Sequence, residues 1–135
     1  MKKFPIILTI IAVLLGIILS FMVIILFENI MSKYWASPIA NPSIAEYENM
    51  IKHTSTKVFL IFISGHALSS FFGSYLASRI APHNYKLISG FIIGFFLLLG
   101  GIVLFFSINF PLWVGISTCI SYLLFSFLEI KINLK

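Results

Sequence analysis

The 135-residue chain has no aspartate, and its four acids are the glutamates Glu28, Glu46, Glu48 and Glu129. Carboxylates so few and so scattered give poor support to a carboxylate metal cage or a two-acid mechanism. Cys119 is the single cysteine. It excludes an internal disulfide, a CxxC pair and a zinc spacing. Charge is also scarce: 10% of residues are charged, against about 25% in an ordinary soluble domain. The three histidines, His53, His66 and His83, belong to segments expected on one side of, within and on the other side of a membrane, so they cannot converge on one metal. No metal and no cofactor are expected.

What is present is apolar. The chain is 60% hydrophobic with a mean hydropathy of +1.09, the composition of an integral membrane protein too short for more than one domain. The net charge of +5 comes from nine Lys and Arg that sit almost entirely in loops and tails. They read as topology determinants and headgroup contacts rather than a nucleic-acid surface.

Four runs have the length needed to cross a bilayer, residues 4–27, 58–80, 87–106 and 112–128, matching the roughly 17–25 residues a hydrocarbon core requires. The first follows Met1-Lys2-Lys3, as a signal peptide would. It is longer than an apolar h-region of about 7–15 residues and has no convincing cleavage site, so it reads as a retained span. Residues 28–57 form the one substantial polar region. Tyr34 and Trp35 suit the headgroup level. Asn41 with Pro42, or Ser43 with Glu46 as a capping box, would start a short helix. Its residues Ile44, Tyr47 and Ile51 share a face suited to lying on the membrane. Arg79 and Lys86 flank a short second loop. Residues 107–111 make a tight turn, with Pro111 placed to open the last span, which Glu129 and Lys131 end.

Counting bases orients the chain. Lys2, Lys3, Arg79, Lys86, Lys131 and Lys135 fall on one side and Lys33, Lys52 and Lys57 on the other, which favours both termini in the cytoplasm. The expected architecture is an all-α membrane protein: four transmembrane helices in an antiparallel bundle, with one longer extracytoplasmic loop between the first two.

The second span is the expected hub. Gly65, Ser69, Gly73, Ala77 and Ala81 repeat small side chains at i+4 spacing, and His66, Ser70, Ser74 and Ser78 run beside them. On a helix these rows make a smooth, weakly polar face that wants other helices against it. The first span carries its own small row, Ala12, Gly16 and Ser20. Equal depth along antiparallel spans would set that row against residues 65–81. Gly90, Gly94 and Gly101 of the third span would face the hub's other side.

His66 is the ionisable group well inside a run, which makes it a functional candidate by default. A neutral imidazole bonded to a serine or a backbone carbonyl explains it too, and with no acid at its depth the structural reading is preferred. Cys119 and Thr118 lie at similar depth, but nothing in the sequence activates the thiol. Glu28, at the end of the first span, is expected to anchor the helix or hold the loop through His53 or Lys52. It is also a candidate for lining an entrance.

His66-Ala67-Leu68 followed by small residues at 69, 73 and 77 resembles a segment of small bacterial four-span membrane proteins. Glu28, the loop with Pro38 and Pro42, the glycine-rich third span, Pro111-Leu112-Trp113 and Tyr122 extend the resemblance over most of the chain. Ser69 stands where the group tends to have Gly, and Leu123-Leu124 where it tends to have Pro. The resemblance implies a four-span protein of a bacterial cytoplasmic membrane and names no activity. The expected function is non-enzymatic: an accessory or structural subunit whose small-residue faces bind another membrane protein or a second copy. The alternative is a small, dimeric transporter or channel using His66 with Ser20 and Thr118. Lipid is the certain partner and nucleic acid is not one.

Overall fold

The computed structural model describes residues 3–34 and 43–133, and the readings at Lys2, Trp35, Pro38, Asn41, Pro42 and Lys135 lie outside them. The described residues contain no strand. They form helices α1 (Lys3–Ser32), α2 (Ile44–Lys52), α3 (Thr56–Ile80), α4 (Lys86–Ser107) and α5 (Leu112–Asn133), with a 3₁₀ turn at His83–Tyr85 before α4. Four stretches, Phe4–Ser32, Thr56–Ile80, His83–Ser107 and Leu112–Asn133, are long and apolar enough to span a membrane.

Helix α1 meets no proline after Pro5 and a single glycine, so it continues past Phe27 and Glu28 to Ser32. Ala12, Gly16, Ser20 and Met31 are buried along it, whereas Ile10, Leu14, Ile18 and Met22 are exposed apolar side chains. A helix that is apolar all round but covered on one stripe suits a lipid surround.

Helix α2 starts with the reciprocal capping box. The Ser43 hydroxyl accepts from the Glu46 backbone N–H at 3.4 Å, and the Glu46 carboxylate accepts from the Ser43 N–H at 2.8 Å. The Ser43 hydroxyl also donates to the same Glu46 oxygen at 2.8 Å, and the Ser43 N–H first and this hydroxyl second hold the Glu46 carboxyl below its ordinary range. The expected shared face divides. Ile51 is buried against Met31, Val58, Phe59, Phe62 and Val114, and Tyr47 packs on the same cluster, while Ile44 is exposed. The helix is thus docked on protein at its C-terminal end. Asn109 Nδ2 donates to Glu48 Oε1 at 2.8 Å and ties it to the α4–α5 turn.

Helix α3 packs against α1, α4 and α5, and its small residues set how close they come. A Cβ built on Gly16 would lie 2.6 Å from the Gly73 carbonyl oxygen and 3.0 Å from Ala77 Cβ. One on Gly65 would lie 2.5 Å from Phe27 Cβ. Backbone meets backbone here, an approach that small residues permit and that dispersion and weak polar contacts then stabilise. The Gly90, Gly94 and Gly101 row also meets α5, where its Cβ atoms would strike Ile130, Ser126 and Tyr122. At Gly90 it faces the hub as well, since the Gly90 carbonyl accepts from Ser74 Oγ of α3.

At the start of α5 the Pro111 carbonyl accepts from the Val114 and Gly115 N–H groups. The helix then runs on through Glu129 to Asn133, since no residue after Glu129 breaks it.

Candidate functional site

Two polar rows face each other between α3 and α5. On α3 they are His66, Ser70, Ser74 and Ser78; on α5 they are Tyr122, Ser126, Glu129 and Asn133. The Tyr122 hydroxyl and His66 Nδ1 share a hydrogen bond. Ser70 Oγ donates to the Tyr122 carbonyl at 2.6 Å, and Ser74 and Ser126 both reach the Gly90 carbonyl of α4. Ser78 Oγ donates to Glu129 Oε1 at 2.8 Å, and Asn133 Nδ2 donates to the same oxygen. These bonds give the buried hydroxyls and the Asn133 amide acceptors they would otherwise lack between apolar helices.

His66 is buried, with its ring 4.2 Å from Phe62 and edge-on to Tyr122 at 5.6 Å between centroids. Neither Ser20 nor Thr118 bonds to it. Ser20 Oγ donates to the Gly16 and Ser69 carbonyls, and Thr118 Oγ1 to the Val114 carbonyl. Cys119 is a half-buried free thiol on α5, and the histidine's ring nitrogen is taken by Tyr122, not by sulfur.

One cavity of about 220 Å³ opens beside this pair. Helix α1 supplies Phe21, Ile24 and Glu28, at spacings of three and four that keep them on one face. His66 and Tyr122 form the inner wall, and α4 contributes Leu97, Gly100 and Gly101 among others. Phe21 and Phe96 meet edge-to-face at 6.5 Å and remain exposed, so the space reaches the molecular surface between α1 and α4. Glycine matters at two adjacent positions. A Cβ on Gly101 would come 2.7 Å from the Tyr122 ring, whereas one on Gly100 meets nothing within 4 Å.

The cavity brings together Glu28 and His66, the two polar candidates. Glu28 is exposed at one end of it, and among the described residues no hydrogen bond or ion pair engages its carboxylate. Its charge is felt by α2. Burial first, and the Glu28 carboxylate second, push the Tyr47 phenol up to about 12. His66 lines the same space. Among the described residues the one enclosed polar side-chain atom without a partner is Glu129 Oε2. With Tyr122 as donor to Nδ1, the His66 hydrogen sits on Nε2.

The small-residue candidates lie elsewhere. Gly16 and Ser20 meet Ser69, Gly73 and Ala77 in the α1–α3 contact, Ala12 is buried on the same helix, Gly65 meets Phe27, and Gly90, Gly94 and Gly101 meet α5. All ten are buried within the chain, which leaves Gly100 as the exposed glycine of α4. Tyr122 and Glu129 belong to the site although neither is among the sequence candidates for it. A polar stripe at 122, 126, 129 and 133, spaced to match the α3 row, is the signal that finds them.

These features describe a helical protein with four helices long and apolar enough to cross a membrane and a mostly apolar lateral cavity that has Glu28, His66 and Tyr122 on its wall. Comparison with protein-family models, with curated proteins and with solved structures finds no match to the chain. The functional reading therefore rests on the geometry.

Proposed function

We propose that the protein is a small transporter or channel of a bacterial cytoplasmic membrane, non-enzymatic, with the α1–α3–α4–α5 cavity as its ligand seat. In this reading four spans form an antiparallel bundle, both termini are cytoplasmic, and α2 lies on the outer side. Glu28 then sits at the outer mouth and His66 below it. The resemblance to small bacterial four-span proteins belongs with this reading. The carrying observation is that one cavity has both Glu28 and His66 on its wall. The accessory-subunit reading keeps one support: a largely uncovered apolar α1 and the open Gly100 leave surface for a second membrane protein or copy. The small-residue rows themselves are occupied inside the chain.

Cysteine accessibility tests the proposal. In a Cys119→Ser background, Ile24→Cys lies on the cavity wall and Ile18→Cys on the exposed face of the same helix. Iodoacetamide reacts with the thiolate, which forms in water and not in hydrocarbon. Rapid alkylation at 24 with slow alkylation at 18 is the expected result. Equal, slow reaction at both positions would show a cavity closed to water and would overturn the reading.

A further inference from the structure

We infer that the cavity's ligand is a small organic cation: a flat apolar body carrying its positive charge at one end. The inference rests on the cavity being the ligand seat. Its size comes first. A cavity of about 150 Å³ holds a benzene ring, so the 220 Å³ here takes a ring with a compact head group.

Its chemistry comes next. Among the described residues Glu28 is the one charged side chain on the wall, and none of them makes a hydrogen bond or ion pair to its carboxylate. The opposite end is walled by the Phe21, Phe96 and Tyr122 rings, whose faces carry negative potential and attract cations, never anions. An anion would meet the carboxylate and the ring faces without a compensating cation on the wall. A neutral hydrocarbon would fill the aromatic end and leave Glu28 unused. Glu28 is two helical turns from Phe21 on α1, about 10 Å at 1.5 Å per residue. The ligand is therefore elongated, with its charge at the Glu28 end and its ring among the aromatics. His66, bonded to Tyr122, lies at the aromatic end.

The test uses an isosteric pair, benzyltrimethylammonium and neopentylbenzene, which differ by replacing the ammonium nitrogen with carbon. Each is titrated for protection of Ile24→Cys from iodoacetamide, in the full-length Cys119→Ser protein reconstituted in vesicles. We expect benzyltrimethylammonium to protect. Adding Glu28→Gln raises its half-protecting concentration about tenfold or more, the loss of a partly desolvated ion pair, and Glu28→Asp restores most of it. Neopentylbenzene protects weakly and is indifferent to residue 28. Equal protection by both probes, or benzyltrimethylammonium protection unchanged by Glu28→Gln, overturns the cation assignment while leaving the cavity as a seat. Protection by neither probe at a cysteine that iodoacetamide reaches also overturns it. A cysteine not reached at all is the separate failure of the functional reading.

Discussion

Replacing Gly73 by Ala tests the closest approach in the fold. The added Cβ would lie 2.7 Å from the Gly16 carbonyl oxygen and would overlap the Ser20 hydroxyl. A comfortable C···O contact is about 3.3 Å, so α1 and α3 must part by several tenths of an ångström. The Gly16 oxygen is backbone and has no rotamer to escape into. Ser20 can rotate, but it then gives up its 3.0 Å bond to the Ser69 carbonyl. Overpacking costs about 1–3 kcal/mol and an interhelical hydrogen bond in a membrane about 0.6. Against these stands a gain of up to about 1 kcal/mol in helix propensity. The strain wins, and a net loss of about 1–2 kcal/mol is expected. Reversible unfolding in mixed micelles, followed by circular dichroism, measures it. Ser20→Ala in the Gly73→Ala background removes one of the two clashes and recovers part of the loss. A Gly73→Ala protein as stable as the parent would refute the reasoning.

Further outcomes follow from single sites. Gly100→Ala meets nothing within 4 Å and stabilises by up to about 1 kcal/mol, while its neighbour Gly101→Ala pushes on the Tyr122 ring and destabilises; the same unfolding assay compares them. Glu129→Ala strips Ser78 and Asn133 of their shared acceptor and costs about 2–4 kcal/mol, whereas Glu129→Gln keeps an acceptor and costs less than half as much. The lowered carboxyl of Glu46 supports the start of α2 above a carboxylate's ordinary value of 4.5. That support is lost as pH falls below this value toward the lower folded value, so the protection factors of the amides at residues 46 and 47, taken against intrinsic exchange at the same pH, fall there in the parent and not in Glu46→Ala.

How much of this was legible depends on how far apart the interacting residues are. The all-helical class and the four long apolar helices follow from composition and run length, because a bilayer's thickness dictates both. The Ser43–Glu46 start of α2 is local chemistry three residues apart. His66 and Tyr122 are different: 56 positions separate them, and nothing near either residue names the other. Glu129 was assigned to a span's end because charges usually stop there. Ser78, Gly90 and Asn133, which lie beside it in space, are small or polar and allow the helix to carry it inward. The Gly90–Gly94–Gly101 row could be seen, but not that it would also meet α5 through Ile130, Ser126 and Tyr122.

The hydrogen bond from the Tyr122 hydroxyl to His66 Nδ1 holds the imidazole on the cavity wall. Nitrogen-15 spectra of the His66 imidazole, in bilayers and with His53 and His83 replaced, test this most directly. In Tyr122→Phe the Nδ1 resonance is expected to move and Nε2 to stay nearly in place. Two nitrogen resonances unchanged by the loss of that hydroxyl would contradict it.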